Sequence, residues 1–147
     1  MQISKHYGQV ELDLIGAESS VLDNYKYLCD TVLEPLRAFY GSEVKIHCGR
    51  RSPSHNAAVG GKTVSFHLGT GGHAAVDIDV PGHSIKDVFD WLRLVSHLEF
   101  DKVIMESNSA GVPVCVHIQT DRLVAARRQA FIGQTGACEH YTQVAVK

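Results

Sequence analysis

The sequence has no apolar run long enough to cross a membrane. A bilayer-spanning helix needs about 20 consecutive apolar residues, and no stretch of this chain comes near that length. The first stretch, MQISKHYGQVELDLIG, also lacks the apolar centre of a signal peptide and alternates more like a strand. These two absences predict a protein that does not bind membranes and carries no export signal of its own.

An excess of charge of one sign is also missing. The net charge is −2 and the isoelectric point is about 6.5. The arginine pairs at positions 50–51 and 127–128 are isolated, whereas a nucleic-acid surface needs a larger basic cluster. The charge pattern therefore argues against a nucleic-acid partner and against an anionic membrane surface.

The four cysteines include no CxxC pair, which argues against a zinc ribbon or a thiol redox motif. They stand at positions 29, 48, 115 and 138. Without a secretory signal we expect free, buried thiols rather than disulfides. The chain also has no internal repeat or linker, and its length suits one compact domain, residues 1–147.

The apolar periodicity predicts a small α+β domain. Apolar residues at spacings of three and four predict a helix that begins at a Ser20–Asp23 capping box, ends at Gly41 and is kinked or divided at Pro35. Another helix begins at Ser84. Strands are predicted at residues 43–48, 74–80, 101–106 and 112–120, the last two as a hairpin, with weaker candidates at 130–133 and 143–147. We expect a small antiparallel sheet with helices packed on one side.

Polar side chains that can bind metal interrupt these strands. Catalytic zinc commonly keeps three protein ligands and an open position for water, and the natural set here is His67, Asp77 and His117. Glu106 precedes the hairpin turn, where a spare carboxylate can act as a general base. Arg51 offers paired donors to a carbonyl oxygen or a carboxylate. The pattern predicts a mononuclear zinc hydrolase site.

A specific string of motifs runs through the same region. Its residues are Arg51-Ser52-Pro53, Asn56, Val59-Gly60-Gly61, Ser65, His67 and Ala75-Val76-Asp77-Ile78, then Asp101-Lys102-Val103-Ile104, Glu106 and Val116-His117-Ile118. This string closely resembles the zinc D-alanyl-D-alanine carboxypeptidase family, which includes phage endolysin peptidases and shares its fold with the Hedgehog signalling domain. The resemblance spans about residues 25–120 and implies a Hedgehog/DD-peptidase-like fold.

The resemblance implies a role for each matching residue. His67, Asp77 and His117 would bind one zinc ion per chain, and Glu106 would be the general base. The separation of Glu106 from His117 is longer than the tight Glu-x-x-His of some carboxypeptidases, but a hairpin can bring its two ends together. Cys115 shares the face of His117, and we expect it to pack as a small apolar group.

The resemblance also implies substrate contacts. Arg51 would stabilise the oxyanion or hold the substrate, and Ser65 would contact the terminal carboxylate of the substrate. The family separates its first histidine from its aspartate by fewer positions than the ten between His67 and Asp77. The extra residues are glycine-rich, and His73 then stands where the family has glycine. His73 is therefore an alternative ligand, although we favour His67.

The predicted function is that of a zinc metallopeptidase acting on peptidoglycan stem peptides, of the D-Ala-D-Ala carboxypeptidase or L-Ala-D-Glu endopeptidase type. A monomeric phage or bacterial lytic enzyme fits the missing signal peptide, because it can remain cytoplasmic until lysis or travel in a virion. Two alternatives stay open. One is a catalytically inactive, zinc-stabilised structural or binding domain, such as a virion component, and the other is a small amidase or peptidase with a different substrate.

Overall fold

A computed structural model describes residues 1–135 and 140–147 of the chain. The helices are α1 (Ser19–Leu28), α2 (Glu34–Tyr40), α3 (Pro53–Ala58) and α4 (Ile85–Leu94), with a π-helical turn at Cys29–Leu33 and a 3₁₀ turn at Phe66–Leu68. The strands are β1 (Lys45–Cys48), β2 (His73–Asp79), β3 (Lys102–Ser107), β4 (Pro113–Asp121), β5 (Gln129–Gln134) and β6 (Thr142–Val144). All six predicted strands are therefore present, with ends shifted by a few residues.

The six strands form one sheet in the order β1-β2-β4-β3-β5-β6. Each neighbouring pair is antiparallel except β3 and β5, which run parallel. The predicted α+β class and the β3–β4 hairpin are confirmed. The parallel pair was not predicted; it forms because residues 122–128 carry the chain from β4 to the far side of β3.

One face of the sheet packs against the helices. Side chains alternate along a strand, so the valines and isoleucines of β2 and β4 point to the same side. Val76, Ile78, Val116 and Ile118 are completely buried in a core shared with α1, α2 and α4. The opposite face therefore carries the polar residues between them. Within the described part of the chain, no helix is both long and apolar enough to cross a membrane.

The first long helix is divided as predicted at Pro35. Proline has no backbone N–H and its ring crowds the preceding turn, so the ladder of hydrogen bonds widens to the π-helical turn just before it. Gly41 ends α2 in the left-handed conformation, with φ 63°. The predicted capping box at Ser20 is wrong, because α1 begins at Ser19 after Glu18 and has no side-chain cap.

The N-terminal residues form an arm that packs into the core. They form no strand, but Tyr7, Leu12 and Leu14 are buried in the main hydrophobic cluster. The arm also touches the end of β1, where the N–H of Arg50 donates to the carbonyl oxygen of Leu12 at 2.9 Å. A Cβ at Gly49 would overlap the Leu12 backbone, so this contact requires glycine. The arm therefore helps to fix the segment that leads into the polar site.

The cysteines that the structure describes are free thiols, as predicted. Cys29 is fully buried, while Cys48 and Cys115 are partly buried on the polar side of the sheet. Cys138 lies outside the described residues, so the prediction for it stays a prediction.

Candidate metal centre and cleft

Strand pairing places two of the three predicted ligands side by side. Asp77 on β2 lies directly opposite His117 on β4. Both side chains project from the polar face of the sheet, and Nδ1 of His117 is 2.9 Å from Oδ1 of Asp77. The register of two central strands therefore fixes this pair of donor atoms.

A short 3₁₀ turn supplies the third residue. The Oγ atom of Ser65 accepts a hydrogen bond from the N–H of His67 and caps this turn. The carbonyl oxygen of His67 in turn accepts from the N–H of Arg51 at 2.7 Å. These contacts hold Nε2 of His67 at 3.5 Å from Oδ2 of Asp77. The structure thus brings His67, Asp77 and His117 together around one carboxylate.

The outer nitrogen of each imidazole faces an oxygen acceptor. Nδ1 of His67 is 2.8 Å from the carbonyl oxygen of Gly49, which can only accept, so this nitrogen carries a proton. Nε2 of His117 is 3.0 Å from Oε1 of Gln119. The Gln119 amide nitrogen donates to Asp101 at 2.7 Å, which orients its oxygen toward His117. In the neutral rings, the basic nitrogens of both histidines therefore point at Asp77.

The two basic nitrogens and the carboxylate are all electron-rich acceptors, so a cation between them stabilises the arrangement. Without a metal, that cation is a proton: burial would lower the pKa of His67, but its hydrogen bonds to Asp77 and Cys48 raise that pKa to about 9. Burial likewise would raise the pKa of Asp77, but hydrogen bonds from His117 and His67 hold that pKa far below its usual range. The same arrangement suits a divalent metal ion, which would take the place of the proton.

The hairpin brings Glu106 to the same face. Ile104 lies opposite His117 in the β3–β4 register, and Glu106 lies opposite Cys115 two residues further along, on the same face. Potential ligand atoms of Asp77, Glu106 and Cys115 all lie within 4.8 Å of one another. The long sequence separation between Glu106 and His117 is thus closed by the turn, and a second carboxylate stands beside the first.

Arg51 also reaches this centre. Its Nη2 atom is 3.8 Å from Oδ2 of Asp77, and its Nε atom donates to Sγ of Cys48 at 3.3 Å. Arg51 and Ser65 both line an open cleft of about 430 Å³, and His67 and Glu106 also line it. A substrate in this cleft would meet the guanidinium, the hydroxyl and both carboxylates.

His73 and Asp79 lie apart from the cluster. The His73 ring stacks on Phe66 with centroids 3.7 Å apart, and its Nε2 atom is 3.3 Å from Asp121. Asp79 pairs with His47, Nε2 to Oδ1, at 2.5 Å, rather than with any histidine of the cluster. The geometry therefore favours His67 over His73 as the residue that accompanies Asp77.

Sequence reasoning missed three further contributors. Cys48, at the end of β1, lies 3.8 Å from Nδ1 of His67 and forms a potential ligand group with His67 and Asp77. Burial would raise the pKa of Cys48, but hydrogen bonds with His67 and Arg51 lower that pKa. Its place at the end of a strand, just before the Arg-Ser-Pro turn, was the available signal.

Gln119 and Tyr141 are the other two contributors to the site that sequence reasoning missed. Gln119 shares the face of His117 two residues on, and that alternation was a usable signal. The Tyr141 hydroxyl donates to Oε1 of Glu106 at 3.1 Å. No local pattern marks Tyr141, because it reaches the cleft only through the pairing of distant strands.

A comparison with protein families matches the chain over most of its length. The family model described as Peptidase M15 matches residues 6–118. This chain belongs to the Peptidase M15 family. The matched residues of this M15 chain include all three histidine and aspartate donors, Arg51, Ser65 and Glu106, whereas β5 and β6 lie beyond them. No curated protein matches the chain.

Proposed function

We propose that this M15 family member is a zinc-dependent peptidase that hydrolyses a peptide bond in peptidoglycan stem peptides. The observation that carries the proposal is the presentation of two basic imidazole nitrogens to one partly buried carboxylate, with a second carboxylate beside it in an open cleft. The bond would be of the D-Ala-D-Ala or the L-Ala-D-Glu type.

We propose that this donor set holds one zinc ion per chain. Nε2 of His67, a carboxylate oxygen of Asp77 and Nδ1 of His117 would hold it, because nitrogen and carboxylate donors in threes are typical of catalytic zinc. The acceptors on the far nitrogens fix both rings in the form that binds metal. When bound, zinc would supply a Lewis acid that lowers the pKa of a coordinated water toward about 7.

The residues of the chain itself would then handle the proton and the substrate. Glu106 would take a proton from the attacking water and pass it to the departing amine. Arg51, held toward the cleft by Cys48 and Asp77, would stabilise the oxygen of the scissile carbonyl as negative charge develops there. Ser65 would contact the terminal carboxylate of the substrate.

The charge of the cleft supports an anionic peptide as substrate. The cations that line it are Arg51, Lys62, Lys102 and Arg127, against the carboxylates of Asp77 and Glu106 and that of Asp101, which pairs with Arg127. Stem peptides carry free carboxylates, so a cleft with more cations than anions favours them. We propose a monomeric phage or bacterial lytic enzyme that meets this substrate after cell lysis or from a virion.

The test is the release of new amino groups from purified peptidoglycan, with and without a chelator. We expect release that EDTA abolishes and added zinc restores. Glu106→Gln should keep one zinc per chain and lose about 10²- to 10⁴-fold in kcat, because it removes the base. Glu99→Gln, at an exposed position, is the matched control and should keep full activity.

Metal content gives a second arm of the same experiment. His67→Ala should lose zinc, whereas His73→Ala, whose ring contacts Phe66 and Asp121 instead, should retain it. Wild-type protein that releases no amino groups in the presence of zinc would reject the proposed activity.

One observation favours a second function. Cys48 is a further potential ligand beside His67 and Asp77, and a fourth protein ligand closes a zinc site as in structural centres. The protein would then be a zinc-stabilised structural or binding domain. In that case EDTA would lower the unfolding temperature, no amino groups would be released, and Glu106→Gln would change nothing measurable.

A further inference from the structure

The candidate base is held by a residue from outside the matched family region. The hydroxyl of Tyr141 donates to Oε1 of Glu106 at 3.1 Å, and both side chains line the cleft. Tyr141 immediately precedes β6, well beyond residue 118, where the family match ends. The two C-terminal strands therefore contribute to a site whose other members lie within residues 6–118.

The fold makes a specific place for this tyrosine. β5 runs parallel to β3, with Gly133 opposite Glu106. β6 pairs with β5 so that Thr142 lies opposite Ile132, which brings Tyr141 beside Gly133. A Cβ at Gly133 would overlap the Tyr141 ring, so the absence of a side chain there leaves the space that the ring fills.

The hydrogen bond makes the two oxygens of Glu106 different. Oε1 is held by the Tyr141 hydroxyl, whereas Oε2 lies 3.8 Å from the weak thiol donor of Cys115, on the side of Asp77. A carboxylate held through one oxygen keeps the other aimed in a fixed direction.

We infer that Tyr141 is a positioning residue that orients the Glu106 carboxylate for proton transfer, and that β5 and β6 are part of the active site. The inference rests on the proposed function, because it takes Glu106 as the base. Tyr141 acts through Glu106 and need not touch the substrate.

The kinetic test uses Tyr141→Phe, which removes the hydroxyl and keeps the ring. We expect kcat on peptidoglycan peptides to fall about 10-fold, with KM within about 2-fold and zinc content unchanged, because one charge-assisted hydrogen bond is lost. Tyr40→Phe removes a hydroxyl from a tyrosine that packs against His83 and Trp91, and it should have no effect.

Gly133→Ala provides an independent variant. It keeps the hydroxyl but pushes the ring away from Glu106, so we expect a similar fall in kcat. Because both changes break the same hydrogen bond, the double variant should lose little more than either single one. An active enzyme whose kcat is unchanged in Tyr141→Phe would overturn the inference.

A readout without catalysis separates this inference from the proposed function. Urea midpoints of wild type, Tyr141→Phe, Glu106→Ala and the double variant are measured in EDTA, and we expect the hydroxyl to matter only when Glu106 is present. Additive midpoint shifts would overturn the inference. Coupled shifts in a protein that releases no amino groups would support the contact and reject the proposed activity alone.

Discussion

At the scale of single residues, two oxygen atoms determine which nitrogen of each imidazole faces Asp77 as a base. The carbonyl of Gly49 and the side-chain oxygen of Gln119 each face the outer nitrogen of one histidine. Gln119 is itself oriented by Asp101, which is only 2% exposed. Metal affinity in such sites depends on these partners nearly as much as on the ligands.

Gln119→Leu removes the acceptor behind His117 at similar size. We expect zinc affinity to fall about 10- to 100-fold, because the ring is no longer held in the tautomer that binds metal. A competition titration against a chromophoric chelator measures this. Gln143→Leu, on exposed β6, is the control with the same chemical change. Equal affinity of wild type and Gln119→Leu would contradict the role assigned to this amide.

At the scale of elements, the end of β1 links the N-terminal arm to the candidate centre. Gly49 contacts the backbone of Leu12 on one side and gives its carbonyl to His67 on the other. The residue that orients the imidazole is therefore placed by a segment that does not line the cleft. Packing of the arm and geometry of the site should change together.

Gly49→Ala tests that link. The added methyl would overlap the Leu12 backbone, and relieving the overlap should cost about 1–3 kcal/mol of folding free energy. Moving the carbonyl should also weaken zinc binding. Gly8→Ala, where a Cβ would meet only ordinary contacts, should do neither. Urea unfolding measures the change in folding free energy of both variants, and the chelator titration measures the change in their zinc affinity.

The elements themselves were largely predictable from local pattern. The alternation of Val76, Asp77 and Ile78 fixed a strand with one polar face, and Pro35 marked the break in the first helix. The capping box predicted at Ser20 was wrong, because the helix begins one residue earlier, at Ser19. Tertiary packing can shift the first residue of a helix away from the position that a local motif favours. The 3₁₀ turn around His67 gave no periodic signal, since it is too short to show one.

At the scale of the whole molecule, strand order decides which residues meet. The candidate metal ligands could be proposed because β2 and the hairpin carry recognisable residues, and the structure brings His67, Asp77 and His117 close together. Tyr141 could not be proposed, because its position depends on β5 pairing with β3 and on β6 pairing with β5. Such pairings are set by tertiary packing and leave no trace in the neighbouring residues.

An ion pair helps to hold the crossover that creates the parallel pair. Arg127 donates through two nitrogens to the carboxylate of Asp101, at 2.6 and 2.8 Å. Burial would raise the pKa of Asp101, but the hydrogen bonds from Arg127 and Gln119 lower that pKa. This pair ties the segment after β4 to the start of β3.

Acid should therefore lower the folding stability, because protonation of Asp101 removes this ion pair. A carboxyl whose folded pKa is lowered contributes stability above its unfolded pKa of about 4 and loses it as the pH falls toward the folded value. Asp101→Asn should be less stable than wild type at pH 7, and the difference should shrink below about pH 4. Urea midpoints across this range measure it; a difference independent of pH would contradict the expectation.

The central β2–β4 pairing is also where two stretches of sequence meet. Everything up to α4 supplies His67 and Asp77, and everything from β3 onward supplies Glu106 and His117. Neither stretch contains both imidazoles. Binding of a metal ion would thus report that the two parts of the chain have paired correctly. Zinc uptake could therefore serve as a probe for complete folding, or for reassembly of a chain cut between α4 and β3.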